Sequence, residues 1–423
     1  MRILFAIHQF YPHYFSGTER VVFTTAKHLQ KMGHNCTVIS YCFHPPTKPR
    51  LYDEIQYEII NYDNLQVINY YIAKPPSDIS ARIYQANQKK FFDKILKMVR
   101  PNLIHVAHCM RVGTICWSAI EKNIPYVLSL TDFWLLCHKA TMQFSDNELC
   151  GSNEKGIKCG KYCVGLEPRY YEERFRQAQY IMKNSRASFI ASDWLSEVFC
   201  RNANVDISPV FVPYGVDRNY LGFNTKRYRS AQKEPIVFLF SGTLICFKGV
   251  TVLCEAIRRC QRDNVEFHIY GDGPLRHTVE ALAANDSRVK YLGTYDKRQT
   301  CEILSNADVG LVPSTWYENN PIILQEMLAM NLPVIATNAG SLPEKVRPGL
   351  NGFLIGMGDD KQLAKLFELI ARDPTVLNSL KTHVDAGGIY TIEQSTYMVE
   401  KVYQKVLLDR SHLKSVTKEE VSE

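Results

Sequence analysis

Short apolar runs alternate along the chain with longer segments whose apolar residues recur every three or four positions. This alternation is typical of parallel strands connected by helices that cover the sheet, so it predicts a protein of the α/β class. In the first half of the chain, the predicted strands are 2–8, 35–40, 102–106, 125–130 and 187–192. In the second half they are 235–241, 265–270, 288–292, 309–312, 333–337 and 352–355.

Three segments of the chain are predicted to form helices. The first is predicted over 18–32 and should end at Gly33, because glycine is favourable just beyond a helix C-terminus. The second follows a glycine-bearing turn and covers about 250–262. The third covers about 391–410 and is expected to pack back on the first half of the chain.

The strand pattern occurs twice, and this repetition predicts two Rossmann-like domains that face each other across a cleft. A length of 423 residues fits two α/β domains of roughly 200 residues each. Segment 212–217 contains Pro and Gly, and a polar stretch follows it, which is typical of a linker. We therefore expect a first domain over 1–214, a second over 215–390 and a polar tail over 411–423.

Hydrophobic residues make up 46% and charged residues 22% of the chain, the balance of an ordinary globular protein rather than a disordered one. No apolar run approaches the 18 residues that a membrane span requires. The apolar start of the chain is too short for the core of a signal peptide. We therefore expect a cytoplasmic protein, free or at the inner face of the cell membrane.

The net charge of +7 comes entirely from the first half, where 25 Lys and Arg face 18 Asp and Glu over residues 1–214. This asymmetry favours an anionic partner such as a phospholipid or a lipid diphosphate, although a solvated surface explains it equally well. No nucleic acid is expected.

One basic segment contains Lys89, Lys90, Lys94, Lys97 and Arg100 beside Phe91, Phe92, Ile95 and Leu96. We favour a helix packed on the sheet over a membrane-surface helix for this segment.

The turn over 241–249 joins a predicted strand to a predicted helix and contains Gly242, Thr243 and Lys248. Free backbone N–H groups at such a junction attract anions, and the lysine adds a full charge. A diphosphate would suit this turn, but a plain connection is an equally good interpretation.

Segment 314–326 places Glu318 just before a predicted helix and Glu326 inside it, with Pro321 in the first helical turn. A carboxylate inside an otherwise apolar helix needs a polar partner, and sugar or ribose hydroxyls would provide one. For each glutamate alone, helix capping or a solvated face is the simpler interpretation. Further glycines, among them Gly271 and Gly273, follow strands at the sheet edge where α/β proteins bind ligands.

These motifs together resemble the retaining glycosyltransferase family 4, which has the GT-B fold, over nearly the whole chain. The matching segments are 16–19 for the glycine loop, 213–217 for the linker, Lys248-Gly249, 271–273, and the two glutamates eight residues apart.

The resemblance implies a nucleotide diphosphate sugar donor of the UDP or GDP type and a glycan, lipid-linked or polysaccharide acceptor. It implies that the amides of Gly17 and the Lys248 ammonium hold the diphosphate, with Gly242, Thr243, Gly271 and Gly273 lining the donor site. Glu318 and the backbone of Asn320, Pro321 and Ile322 would then meet the donor sugar, and Glu326 the ribose. The implied reaction retains the anomeric configuration and requires no metal or other cofactor for catalysis.

Three positions depart from the family pattern. Ser16 replaces a glycine, Thr243 stands where an arginine is common, and Thr131 stands where a histidine is common. We expect Asp132 to take over the role of that histidine, and we interpret His105 and His108 as structural. The departures leave a rival hypothesis open, a non-catalytic homologue that binds nucleotide sugars. A dehydrogenase is disfavoured because the dinucleotide-binding glycine fingerprint is absent.

Four cysteines, Cys137, Cys150, Cys159 and Cys163, lie within 27 residues of loop-like sequence. Four sulfurs in a short insert suit a structural zinc ion, although only the last two have close spacing. Two disulfides or four buried thiols are alternatives. The remaining cysteines are expected to be small buried residues.

Overall fold

The computed structural model describes residues 1–144, 150–152, 154–163, 167–217, 228, 234–381 and 388–408. Backbone contacts divide the chain into two compact units. The first unit consists of Met1–Pro213 and the segment that begins at Ile392, and the second is Tyr214–Thr391. The predicted polar tail and most of the polar stretch after 217 lie outside the described residues.

Nine described strands form the sheet of the first unit: β1 (Arg2–Ile7), β2 (Asn35–Tyr41), β3 (Arg50–Tyr52), β4 (Ile55–Tyr62), β5 (Leu65–Ile72), β6 (Leu103–Val106), β7 (Tyr126–Ser129), β8 (Ser188–Ile190) and β9 (Pro209–Phe211). Its described helices are α1 (Gly17–Lys31), α2 (Ala86–Val99), α3 (Ile115–Glu121), α4 (Ile157–Tyr162), α5 (Pro168–Asn184), α6 (Asp193–Asn202) and α14 (Ile392–Leu408).

Six described strands form the sheet of the second unit: β10 (Ile236–Ser241), β11 (Val265–Tyr270), β12 (Val289–Gly293), β13 (Val309–Val312), β14 (Val334–Thr337) and β15 (Gly352–Ile355). Its described helices are α7 (Val250–Arg259), α8 (Arg276–Asn285), α9 (Thr300–Ser305), α10 (Ile322–Ala329), α11 (Leu342–Lys345), α12 (Asp360–Arg372) and α13 (Val376–Lys381). All eleven predicted strands are present, each within two residues of its predicted ends.

The sheet of the first unit has the order β3-β4-β5-β2-β1-β6-β7-β8-β9. Its pairings are parallel except for β3 with β4 and β4 with β5, which are antiparallel. β4 and β5 form a hairpin whose two turn residues, Asp63 and Asn64, both have positive φ. Such two-residue turns match the twist of the flanking strands. The sequence prediction missed β3, β9 and this hairpin. The hairpin was missed because Asp-Asn is a weaker turn signal than Asn-Gly.

The sheet of the second unit is parallel throughout, with the order β12-β11-β10-β13-β14-β15. The chain leaves β10 toward β11 and later returns to β13 on the other side of β10. Ligands of open α/β sheets bind at the carboxyl ends of strands where the order reverses in this way. The first unit has the corresponding reversal at β1, which lies between β2 and β6.

Each sheet is buried by apolar residues on the faces of its helices. Helix α2 buries Phe91, Phe92, Ile95 and Leu96, each at most 2% exposed. The interpretation of this segment as a helix packed on the sheet is confirmed, because its apolar side is unavailable to a membrane. None of the helices in the described part of the chain is both long and apolar enough to cross a membrane.

Helix α14 belongs to the first unit although it follows the second in sequence. It packs against α1, and His34, just beyond the end of α1, contacts the Glu400 carboxylate at 3.0 Å. The Tyr403 side chain is fully buried, and its hydroxyl lies 2.5 Å from Nδ1 of His105. Helix α14 therefore completes the hydrophobic core of the first unit.

Candidate functional site

Lys248 and Glu318 meet at the reversal point of the second sheet. Lys248 ends a short 3-10 helix after β10, and Glu318 lies in the loop after β13. The Lys248 ammonium lies 2.7 Å from Oε1 of Glu318. Residues 70 positions apart are therefore brought together at the edge where the sheet topology favours a ligand.

Glu318 is a buried carboxylate, only 3% exposed. The Ser314 hydroxyl donates a hydrogen bond of 2.7 Å to the same Oε1. Burial by itself would raise the pKa of Glu318, but the charge and hydrogen bond of Lys248, with the neighbouring Trp316 and Ser314, lower it. Glu318 is therefore an anion at neutral pH, and Lys248 and Ser314 hold it in place.

Lys248 remains partly open to solvent, with 29% of its side chain exposed. Its ammonium also lies 5.3 Å from the centre of the Trp316 ring, a cation–π distance. A bound anion could therefore reach the ammonium on the side away from Glu318.

Helix α10 begins at Ile322, with Pro321 at its N-cap rather than inside its first turn. Glu326 is 2% exposed and Asn320 is 5% exposed, while Pro321 and Ile322 are half-buried. The alternative of a solvated face is therefore wrong for both glutamates. They lie on the buried side of one loop and helix next to the reversal point.

The glycines of this edge allow loops to pack backbone against backbone. A Cβ on Gly271 would lie 1.9 Å from the Gly242 carbonyl oxygen, and a Cβ on Gly273 would lie 2.7 Å from that of Leu244. A Cβ on Gly340 would lie 2.5 Å from the carbonyl oxygen of Glu318. This packing positions the loops that carry Lys248 and Glu318. The donor contacts of Gly242, Gly271 and Gly273 stay a prediction, as does that of the exposed Thr243.

In the first unit, the predicted glycine loop starts α1. Gly17 is its first residue and is exposed, and the Ser16 hydroxyl donates to the Glu19 carboxylate. Glu19 is fully buried, with Oε1 lying 3.3 Å from Nε2 of His8. Burial, followed by the charges of His108 and Arg111, lowers the pKa of His8 well below its ordinary value.

His108 orients Asp132 at the reversal point of the first sheet. The His108 Nδ1 accepts the backbone N–H of Met110 at 3.1 Å, so a neutral ring carries its proton on Nε2. Nε2 donates to Oδ2 of Asp132 at 3.0 Å, and Oδ1 of Asp132 accepts the N–H of Trp134 at 2.7 Å. Asp132 keeps 24% of its side chain exposed and is thus a positioned carboxylate open to a ligand.

The ring of His108 lies 4.3 Å from that of His8, which joins the ends of β1 and β6. His105 is structural, as predicted. It lies between the Tyr403 hydroxyl and the Ser129 hydroxyl, and burial lowers its pKa to about 3. Sequence reasoning included Glu19 only as part of segment 16–19, and it missed His8 and Arg111, because no motif in the chain distinguishes them.

The four cysteines of the predicted zinc site come close enough to influence one another. Burial, followed by the neighbouring Cys137, Cys163 and Cys150, raises the pKa of Cys159 to about 12. All thirteen cysteines of the chain are free thiols, nine of them buried. Within the described residues, no group of three or more His, Cys, Asp or Glu is arranged to hold a metal ion. The structural zinc stays a prediction.

Comparison with known families assigns the two halves of the chain. The family described as "Glycosyltransferase Family 4" matches residues 15–220, and "Glycosyl transferases group 1" matches residues 235–373. The two matches together cover most of the chain. The first match ends and the second begins close to the boundary between the first and second units.

Curated relatives agree with this assignment. The chain is 25% identical over 356 residues to an uncharacterized glycosyltransferase of Methanocaldococcus jannaschii, covering 83% of this chain and 88% of the relative. It is 28% identical over 224 residues to a putative colanic acid biosynthesis glycosyltransferase of Salmonella typhimurium, covering 50% of this chain. That match spans about half of the relative, 52% of its length.

Among solved structures, the chain is similar to Anabaena HepE in complex with UDP and glucose. The TM-score is 0.68 at 16% identity, and the match covers 96% of this chain and 99% of HepE. At this identity the likeness shows a shared fold, which is of the GT-B type.

Proposed function

The chain belongs to the group 1 and family 4 glycosyltransferases, and from that premise we propose that it transfers a sugar from a nucleotide diphosphate to a polysaccharide, glycan or lipid-linked acceptor with retention. The observation that carries this proposal is the Lys248–Glu318 pair at the reversal point of the second sheet. HepE, which shares the fold, binds UDP and glucose. A donor of the UDP or GDP type is the corresponding ligand here.

The chemistry requires a group that stabilises a departing diphosphate. When the bond between the sugar C1 and the phosphate oxygen breaks, its electron pair stays on the diphosphate. Lys248 provides a preorganised positive charge there, and it retains an exposed side for the phosphate oxygens. No metal ion is needed for that role. The acceptor hydroxyl attacks C1 from the side of the leaving group and passes its proton to the departing phosphate oxygen, so no carboxylate nucleophile is required.

Glu318 has a second role in this proposal. Its buried carboxylate holds Lys248 before the donor arrives, and it accepts a hydrogen bond from a donor sugar hydroxyl afterwards. Glu326, buried on the next helix, accepts hydrogen bonds from the ribose. In the first unit, Asp132 is the proposed catalytic carboxylate, and His108 fixes its orientation.

A thermal-shift screen with UDP, GDP, ADP and their sugars tests the donor assignment, because a ligand that binds only the folded state raises the melting temperature.

With the best donor, Lys248→Ala should lower turnover by about a hundredfold or more. Glu326→Gln should weaken nucleotide affinity by about tenfold, since ribose contacts exist before and during reaction. Lys365→Ala, on the exposed face of α12, is the matched control and should change neither quantity.

The NMR signal of the anomeric proton in the product shows whether the anomeric configuration is retained. Turnover measured in the presence of a chelator shows whether the reaction needs a metal ion. An inverted product or dependence on added metal would contradict those parts of the proposal. The rival function, a non-catalytic nucleotide-sugar binder, has one observation in its favour, because exposed Thr243 adds no charge beside Lys248. Nucleotide binding without transfer or donor hydrolysis would establish that rival.

A further inference from the structure

Arg111 is a buried cation at the carboxyl edge of the first sheet. It lies five residues beyond the end of β6 and is 8% exposed. Its backbone has a φ of 66°, a left-handed conformation that is costly for a residue with a Cβ. The Tyr70 hydroxyl donates to its carbonyl oxygen at 2.8 Å, which helps to hold that conformation.

The guanidinium of Arg111 has no carboxylate partner within the described residues. Nη2 donates to the Ser80 hydroxyl at 2.9 Å, while Nε and Nη1 are buried and make no hydrogen bond in the described part of the chain. Burial lowers the pKa of Arg111, and the nearby Tyr41, Tyr70 and Tyr14 oppose this effect. Burying an incompletely paired cation costs free energy, so packing alone does not account for this residue.

Arg174 shows what a structural buried arginine looks like in the same unit. It is 3% exposed, and its Nε donates to the Ala81 carbonyl at 2.8 Å. Its Nη2 donates to the Trp134 carbonyl, and the guanidinium stacks 4.5 Å from the Trp134 ring. These bonds tie helix α5 to two loops. Arg111 makes one such bond and leaves two N–H-bearing nitrogens unused.

Aromatic rings surround the Arg111 guanidinium and extend to the surface. The guanidinium lies 4.4 Å from the centre of the Phe43 ring, and Phe43 is itself 42% exposed. Tyr14 contacts Phe43 at 5.6 Å, and the exposed His13 and His44 rings lie 6.2 Å apart. Because the exposed Phe43 ring lies against the guanidinium, we expect a rotation of its side chain to open Nε and Nη1 to a ligand.

We propose that Arg111 binds an oxyanion of the acceptor, so that the acceptor is an anionic glycan or lipid-linked sugar rather than a neutral one. The guanidinium fork matches the two oxygens of a carboxylate or a phosphate, and exposed aromatic rings beside it cover the adjoining apolar part of the ligand. The inference rests on the proposed transferase function, and it adds the chemical class of the acceptor. A uronic acid carboxylate and a lipid phosphate share this chemistry.

Anion binding is measured directly by calorimetric titration with sodium glucuronate, inorganic phosphate and neutral glucose. The Lys248→Ala background removes the lysine at which phosphate would bind in the second unit. In that background we expect saturable binding of glucuronate or phosphate and none of glucose. The anion that binds more tightly identifies the acceptor group.

Arg111→Gln in the same background should weaken that binding by at least about tenfold. Arg201→Gln is the matched control, because this arginine lies on the surface of α6 with 75% of its side chain exposed. It removes the same charge from the same unit and should leave anion binding unchanged. Arg111→Met keeps the length of the side chain beneath Phe43 and should fold with a melting temperature close to that of the parent, yet lose the anion.

Failure to bind either anion in the Lys248→Ala protein, or equal binding after Arg111→Gln and Arg111→Met, would overturn the inference. Nucleotide binding by the unmodified chain is measured separately. If nucleotides bind but substitution of Arg111 does not change anion binding, the transferase proposal is retained and only the proposal of an anionic acceptor is refuted.

Discussion

At the scale of single residues, Lys248 is both a charge for the donor and the counter-ion of a buried carboxylate. Glu318 is 3% exposed, and Lys248 is the cation that pairs with it at 2.7 Å. Removing one partner of such a pair leaves a buried charge without compensation. Catalysis and stability therefore depend on the same contact.

Lys248→Ala should lower the free energy of unfolding at pH 7 by about 2 kcal/mol, less than for a fully buried pair because the ammonium is partly exposed. In the unmodified chain, the lowered pKa of Glu318 gives stability above the pKa of the unfolded state, which is lost as the pH falls through the folded pKa. Without Lys248 the folded pKa rises instead. The difference between variant and parent should then shrink as the pH falls from 7 to 5.

Denaturant melts at both pH values check this prediction, with Lys248→Ala/Glu318→Gln as the control. The double variant lacks the buried charge and should be more stable at pH 7 than Lys248→Ala alone. An equal loss of stability at both pH values would show that the two side chains are not electrostatically coupled.

At the scale of elements, α14 contributes to the core of a unit whose other elements all precede the second unit in sequence. Its Tyr403 fills the core under the first sheet and bonds to His105, and its Ser395 hydroxyl donates to the Pro213 carbonyl at 2.6 Å. The helix therefore stabilises strands that precede it by several hundred residues.

Tyr403→Ala should destabilise the first unit by about 3–5 kcal/mol, because it empties a fully buried aromatic site. Tyr403→Phe should lower the free energy of unfolding by about 1 kcal/mol, because it removes only the hydrogen bond to His105. Tyr397→Ala, on the same helix with a 53% exposed side chain, is the control and should cost little. Similar losses for Tyr403→Ala and Tyr397→Ala in denaturant melts would contradict the packing seen here.

The segment with four cysteines is the second element with a testable role. If it holds a structural zinc ion, protein purified without metal-affinity resin should contain about one zinc per chain by elemental analysis. Cys159→Ser should then lose the metal, whereas Cys200→Ser, an exposed cysteine on α6, should keep it. A metal-free protein with full activity and four free thiols would refute the zinc site.

At the scale of the whole molecule, the two units differ in their response to acid. Burial lowers the pKa of His105 to about 3 and of His138 to about 4, and it lowers that of His8 strongly. All three belong to the first unit. In the described part of the second unit, His268 and His277 are partly or fully exposed.

Each buried neutral histidine binds a proton in the unfolded chain near pH 6.5 but not in the folded chain. Stability is therefore present above pH 6.5 and is lost as the pH falls toward the folded pKa, by about 2 kcal/mol each for His105 and His138 at pH 5. Scanning calorimetry between pH 7 and 5 should show the first unit melting at progressively lower temperature than the second. Equal shifts of both transitions would contradict this assignment.

The sequence by itself determined the α/β class, eleven of the strands and the family, because these depend on local apolar periodicity and on short motifs such as Lys248-Gly249. It also pointed to Glu318 and Glu326, yet their burial was unexpected. A one-dimensional pattern does not record which faces meet.

Tertiary structure alone decided the contacts between distant segments. The pairing of Lys248 with Glu318, of His108 with Asp132 and of Tyr403 with His105 depends on strand order, which places loops far apart in sequence at one sheet edge. Arg111 is the clearest case, because an arginine in a loop normally lies in solvent. Only the packing of Phe43 and Ser80 around it shows that its charge is buried and incompletely paired.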